Sequence, residues 1–568
     1  MSRNILHLLC ILFLVERAEC QTYNQLRDSA GKLRESKDYA AAFRLLSEGI
    51  RIAPNHPYHN DIYDAAALGS LLQLNDTVFH YLGHLLSEGE YEMITCDAKN
   101  DPDFKNVQND ERWWRLIGFA SKMKDDEERK KISAVANCIS YQDNLKFYTD
   151  SILSALIRKQ ETGEHLKYLI NHYNQFPPIL RKGNSDLIVF SIKINDTTNS
   201  FYEVQLPHDY NNLVSYPILL VLHGAVSQNT GFPDPLSISK YGAFDTTGMN
   251  QFFSQMGYQS NTIVVYPHAN REFNWMYPDD GFPMVLDIVN DLKRYFNIDD
   301  NRVFLSGHSN GATGVISYLL KSPSGFAGFY GFNSNPRIRT GGTFIKNALN
   351  RSYFNIATNK DYYFPVSGHD TLASIALSLR IDWQNHVYNG FPHWFPQFKE
   401  SYAAFELMFK DMSLRRRNPF HNHLYWECDD VKNGRCDWIS IGKLDTGSEK
   451  MNWQTEINFP VTHWVNNLDT SKISDTMVTA FNYPRLSGAI KANYRSNRFD
   501  IETSRIKEFS IFISPDMVEL AKPVVVYVNG KELFNKKVDY DKEFMIQSFK
   551  TNFDRKVVWA NYIQFKLK

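Results

Sequence analysis

Apolar side chains recur every three or four positions through the first part of the chain. Ala30, Leu33, Tyr39, Ala40, Phe43 and Leu46 share one helical face, and Pro54 closes that segment. The string Leu45-Leu46-Ser47-Glu48-Gly49 returns as Leu85-Leu86-Ser87-Glu88-Gly89, a spacing that paired amphipathic helices produce in repeat arrays. Residues 21–150 are therefore expected to form a helical-repeat domain. Pro177-Pro178 breaks the pattern, and 151–180 reads as a linker. From Leu187 short apolar runs (187–192, 218–222, 262–266, 303–305, 326–331, 353–357) alternate with segments of helix length. That alternation predicts a doubly wound, mostly parallel sheet over 181–415, covered by helices on both faces. Arg415-Arg416-Arg417-Asn418-Pro419 reads as a solvated boundary. Beyond it 509–513, 524–528 and 557–567 read as strands, with a tight hairpin turn at Asn529-Gly530. Residues 420–568 are expected to form a small all-β domain, which completes a multidomain α/β chain.

Composition adds limits rather than direction. The 568 residues are 43% apolar and 22% charged, a globular balance that excludes wholesale disorder. The 62 Lys and Arg nearly cancel the 63 Asp and Glu, so no global field favours nucleic acid or an anionic membrane as partner. An aromatic content of 14% is met most simply by large mixed cores.

The first residues change the expected compartment. Arg3 precedes a mostly apolar stretch at 5–15, and Ala18 and Cys20 suit a cut before Gln21. Residues 1–20 thus read as a signal peptide, which predicts a secreted or periplasmic protein. A lipid-modified Cys20 is the alternative, against which Arg17-Ala18-Glu19 argue. No later stretch has the length and apolarity of a transmembrane segment. Cys96, Cys138, Cys428 and Cys436 then remain, and an oxidising compartment permits bridges. Cys428 and Cys436 enclose Asn433-Gly434, a hairpin-forming step, and are the expected disulfide; pairing of Cys96 with Cys138 stays open. Asn75, Asn195 and Asn350 stand in glycosylation sequons. A zinc site from His421, His423, Cys428 and Cys436 is rejected, because oxidised cysteines cannot ligate. No glycine-rich phosphate loop precedes a helix, and no cofactor or metal is expected.

The chemistry centres on Gly307-His308-Ser309-Asn310-Gly311. A Gly-x-Ser-x-Gly string means little alone, but a strand at 302–305 runs into this one and a helix at 312–320 leaves it. A nucleophile elbow needs that strand, tight turn and helix, with glycines where the two elements approach closely. Upstream, the buried run 217–222 ends in His223-Gly224. The following amide, on Ala225, and the amide of Asn310 are the expected oxyanion donors.

These residues carry a resemblance. Val221-Leu222-His223-Gly224, Val265-Tyr266-Pro267 and Phe296-Asn297-Ile298-Asp299, leading into the serine motif, make 180–410 similar to α/β-hydrolases of the polyhydroxybutyrate depolymerase and feruloyl/acetylxylan esterase type. The stretch from Asp38 to Pro54 resembles a tetratricopeptide repeat. The hydrolase resemblance implies the chain order Ser, acid, His. Asp361, just past the strand 353–357, takes the place of the acid, with Asp370 and Asp382 as rivals. His393, in Gly390-Phe391-Pro392-His393-Trp394, takes the place of the base, with His369 and His386 as rivals. The implied activity is hydrolysis of carboxylic esters through an acyl-serine, for instance acetyl or feruloyl esters of polysaccharides. Trp275 and Trp394 are candidate substrate contacts. A serine peptidase on the same fold uses the same groups, and a non-catalytic binding protein, with the helical repeats as a surface for protein partners, is the reading from another class.

Overall fold

The computed structural model describes residues 23–52, 58–159, 162–177, 187–224, 235, 237, 250–275, 281–338, 340–464 and 475–568. The expected signal peptide, Cys20, Pro54, Pro178 and Ala225 lie outside the described residues. The chain divides into two compact units, Met1–Ala134 and Val135–Lys568.

The first unit is helical. Helices α1 (Tyr23–Glu35) and α2 (Tyr39–Ile52) pack together, as do α3 (His59–Leu71) and α4 (Asn75–Ser87). Asp38 Oδ1 accepts from the Ala41 amide and starts α2. Ala65, Ala66 and Ala67 are fully buried, which lets the helix axes approach closely. The repeated string ends the second helix of each pair, but Gly49 lies buried inside α2 whereas Gly89 follows α4 at φ 86°. Helix α5 (Glu111–Lys159) runs through the division between the units.

In the second unit eight strands form one sheet: β1 (Leu187–Lys193), β2 (Asn199–Gln205), β3 (Tyr216–Leu222), β4 (Ile263–Pro267), β5 (Ile298–His308), β6 (Gly328–Phe332), β7 (Tyr353–Thr358) and β8 (Trp383–Tyr388). Their order is β1-β2-β4-β3-β5-β6-β7-β8; β1 and β2 pair antiparallel at one edge and the other six run parallel. Period-two alternation splits each strand between two cores. Ile218, Leu220, Leu222, Val303 and Leu305 face α8 (Gly281–Tyr295), α9 (Asn310–Lys321) and α10 (Val366–Ser378). Leu219, Val221 and Phe304 face α7 (Gln251–Gln259) and α11 (Tyr402–Leu414). The doubly wound expectation matches this sheet. The edge strand β1 is held by Gln142 of α5, whose side chain bonds both the amide and the carbonyl of Ser191.

The linker expected at 151–180 is structured: α5 continues to Lys159, and α6 (Gly163–Asn171) follows, started by the Thr162 side chain. The boundary expected at Arg415–Pro419 is solvated at Arg416 and Asn418, but Arg417 within it is buried and its guanidinium grips Asp554 at 2.7 Å and 3.1 Å.

The C-terminal segment is a sandwich. One sheet contains β9 (His423–Cys428), β14 (Gly488–Arg495), β15 (Arg498–Ser504), β17 (Val524–Val528) and β18 (Lys531–Lys536). The other contains β10 (Arg435–Cys436), β11 (Ile439–Leu444), β16 (Ile506–Ile513) and β19 (Asn561–Lys566). A separate hairpin, β12 (Pro460–Trp464) with β13 (Asp475–Thr479), brings Val461 to the core of the α/β sheet. Asn529 and Gly530, at φ 49° and 80°, make the expected two-residue turn between β17 and β18. The segment is not all-β, because α12 (Lys542–Asn552) packs Met545 and Phe549 against Leu166 and Ile170 of α6.

The expected Cys428–Cys436 bridge is absent: both are free, buried thiols. Their strands do not form a hairpin but enter opposite sheets, and Gly434 follows a short helical turn at φ −73°. Cys96 and Cys138 are also free. The sequon residue Asn350 is buried, and its amide donates to the carbonyls of Asn347 and Tyr425. Among the described residues no helix is long and apolar enough to cross a membrane.

Candidate active site

Parallel strands β5, β6, β7 and β8 are consecutive neighbours, so the loops at their C-terminal ends meet at one edge of the sheet. Three of the sequence candidates sit on those loops. Ser309 lies between β5 and α9 with φ 58° and ψ −123°, a strained conformation for a residue with a side chain. The Phe332 carbonyl holds its amide at 2.9 Å. The turn closes only because of its glycines. A Cβ on Gly307 would stand 2.6 Å from the Gly311 carbonyl carbon, and one on Gly311 would stand 2.0 Å from the Leu222 oxygen.

Asp361 follows β7 and His393 follows β8. His393 Nδ1 lies 2.7 Å from Asp361 Oδ2, and its Nε2 lies 2.8 Å from Ser309 Oγ. A carboxylate only accepts, so Nδ1 carries the proton; Nε2 is then the acceptor and the Ser309 hydroxyl donates to it. The two loops are laced together. The Asn359 amide donates to the Tyr388 carbonyl, the Lys360 amide to Phe391, and the Thr358 hydroxyl to Pro392. These bonds fix Asp361 relative to His393 across two strands.

The Asp361 carboxylate is saturated. Oδ1 accepts from the amides of Tyr363 (2.9 Å) and Phe364 (3.0 Å), and Oδ2 accepts from His393 and from Asn333 Nδ2 (2.8 Å). Burial pushes this carboxyl up, but the His393 bond and charge, with the Phe364 amide and Asn333, outweigh it and hold it below the usual range. His308 is buried beside the His393 ring, and its Nε2–H donates to the His393 carbonyl at 2.8 Å. Burial, reinforced by the nearby His393, lowers His308 to about 3, so it stays neutral and acts as a fixed support.

Asn310 opens α9, and first-turn amides have no partner within their own helix, so its N–H is available beside Ser309. Gly224 lies close by, since a Cβ there would meet Ser309 Cβ at 3.0 Å. The preceding His223 is tied down by the Ala269 amide, which donates to its Nε2. Trp394 is 42% exposed and flanks His393, with ring centroids 5.2 Å apart. Trp275, the other candidate contact, is fully buried, packed beneath Gly314 of α9, and lines no accessible surface.

The rivals are occupied elsewhere. Asp370 accepts from Asn385, Asp382 pairs with Arg415, His369 bonds the Ser334 carbonyl and His386 bonds Gln384. His421 bonds Asp437 and His423 bonds Asn493. Two supports escaped the sequence analysis, Asn333 and Thr358. The only signal for Asn333 is its place directly after β6, at φ 50°, a conformation asparagine tolerates.

No protein-family model matches the chain. No curated protein sequence matches it. Among solved structures it is similar to a thermostable esterase, with 20% identity and TM-score 0.32 over 41% of this chain and 64% of that one, under two thirds of the esterase's length. A ferulic acid esterase is similar with 15% identity and TM-score 0.32, over 40% and 99% of the two chains. Esterase 2 of Thermogutta terrifontis, phosphoramylated by tabun, is similar with 12% identity and TM-score 0.33, over 41% and 97%.

Proposed function

We propose that the chain is a serine hydrolase of the α/β-hydrolase type acting on carboxylic esters. The observation that carries this reading is the continuous line Ser309 Oγ, His393 Nε2, His393 Nδ1 and Asp361 Oδ2, with both links at hydrogen-bond length. Ser309 Oγ attacks the acyl carbon while His393 Nε2 takes its proton, and Asp361 steadies the imidazolium that forms. The charge that develops on the carbonyl oxygen is met by the Asn310 amide at the start of α9, with the Ala225 amide as the expected second donor. The alkoxide leaves with the proton from Nε2. Water then attacks the acyl-serine with His393 again as base and releases the acid.

The family resemblance supports acetyl or feruloyl esters of polysaccharides as substrates. Trp394, half exposed beside the base, is suited to stack on a sugar or an aromatic acyl group. The apolar leader at 1–20 supports action outside the cytoplasm.

The test is hydrolysis of p-nitrophenyl acetate and labelling by a fluorophosphonate, for the mature protein and for Ser309→Ala. The wild type is expected to turn over and to label. The variant should lose labelling and about 10³–10⁶ of kcat. A wild type that neither labels nor hydrolyses would overturn the esterase reading in favour of a binding protein.

A further inference from the structure

Between α8 and the sandwich lies a cavity of about 360 Å³, separate from the Ser309 site, with Val289, Phe326, Val557 and Trp559 among its walls. Six charged side chains line it. Four are neutralised inside the protein. Lys293 and Arg417 both hold Asp554, and Asp437 is held by Arg351 and His421. The other two, Arg435 and Asp287, form no ion pair with each other or with any other described residue.

Arg435 is built to receive something. Its guanidinium lies 3.5 Å from the Phe512 ring centroid and 5.6 Å from that of Trp559, and its Nε–H donates to the Asp437 carbonyl at 2.9 Å. Its two terminal amino groups make no hydrogen bond among the described residues. A guanidinium held flat on an aromatic face and anchored through Nε presents a pre-set fork for a carboxylate. Burial lowers it to about 10 despite the nearby Asp437, and burial also raises the Asp287 carboxyl. Arg435 is half-buried and Asp287 exposed, so the fork and the carboxylate both stay open at the cavity wall to an incoming molecule.

We propose that this cavity binds a small organic acid that also carries a hydroxyl or amino donor. Its carboxylate sits on the Arg435 fork, its donor faces Asp287, and its body lies against the apolar walls. None of Ser309, Asp361 or His393 lines the cavity, so the site is independent of the esterase reading.

Titration calorimetry on the full chain with 4-hydroxybenzoate tests this, with benzoate, 4-hydroxybenzamide and sulfate as comparisons. Binding is expected in the millimolar to submillimolar range for 4-hydroxybenzoate, and weaker for each comparison. Arg435→Gln should weaken it roughly 10–100-fold, the worth of a charged hydrogen-bonded partner. Gly325→Trp offers a second route, because Gly325 lines the cavity and a Cβ there meets nothing within 4 Å. That variant keeps Arg435 and should block binding, so it decides the matter if circular dichroism shows Arg435→Gln to be misfolded. Absence of binding, equal affinity for sulfate or benzoate, or wild-type affinity in Gly325→Trp would each overturn the proposal.

Discussion

Asp361 Oδ2 is shared by two donors, His393 and the buried Asn333 amide, and the second has no part in proton transfer. Its effect is on position. With the Asn333 donor gone, the carboxylate is less firmly fixed and holds the His393 ring less securely toward Ser309. Asn333→Gly accepts the native φ of 50° without strain and removes the amide. On the proposed ester reaction it should lower kcat/KM by roughly 10–100-fold. A folded variant with wild-type kcat/KM would show that Asn333 serves packing alone. His308 supports the same loop, since its neutral ring is bonded to the His393 carbonyl.

At the scale of elements, the elbow depends on how closely α9 crosses the end of β3. The Gly311 position faces the Leu222 carbonyl so tightly that one added carbon cannot fit without moving helix or strand. Gly311→Ala is therefore expected to destabilise the protein by about 1–3 kcal/mol or more, the usual cost of overpacking. It should also abolish fluorophosphonate labelling, because a displaced α9 carries the Asn310 amide away from Ser309. Thermal unfolding and labelling check this together, and a variant with wild-type melting and labelling would refute the close approach. The laced loops after β7 and β8 show the complementary device: backbone hydrogen bonds between neighbouring loops replace any need for a rigid turn before His393.

Across the whole molecule, buried charge shapes the response to acid. His308 and His268 are lowered to about 3 and His369 to about 4, in each case mainly by burial, against 6.5 for an exposed histidine. Between pH 6.5 and 4 the unfolded chain binds these protons and the folded chain does not, so stability falls as pH falls. Each histidine contributes up to about 1.4 kcal/mol per pH unit in that window. Asp291, raised to about 6 by burial, and Asp287, also raised, act in the opposite sense and offset part of the loss. Below the usual carboxylate range Asp361, Asp437 and Asp554, all held low by charged partners, add to it. The melting temperature is thus expected to drop from pH 7 to pH 5 and more steeply below pH 4. A flat or rising profile by calorimetry would contradict the buried neutral histidines. The same charges join the sheet to the sandwich, where Lys293, Asp300, Arg417, Asp554 and Arg555 interlock. Arg417 sits in the very stretch that reads as a solvated linker.

Features set by neighbours along the chain were legible in the sequence. Alternating apolar runs announced the strands β1, β3, β4 and β7, and Asn529-Gly530 announced its turn. The Gly-x-Ser-x-Gly string placed Ser309 at an elbow because strand, turn and helix there are contiguous. The order of the acid and the base followed from the family resemblance, and the hydrogen bonds of Asp361 and His393 join residues that distant order could only suggest. What a side chain meets from far along the chain was decided only by the tertiary structure. Whether Trp275 faces a ligand or the core depends on α9 closing over it. Whether Cys428 and Cys436 meet depends on which sheet each strand joins, and whether Arg417 sees solvent depends on Asp554, more than a hundred residues away. Local propensity cannot encode such pairings, because burial is a property of surfaces that exist only once the elements have packed.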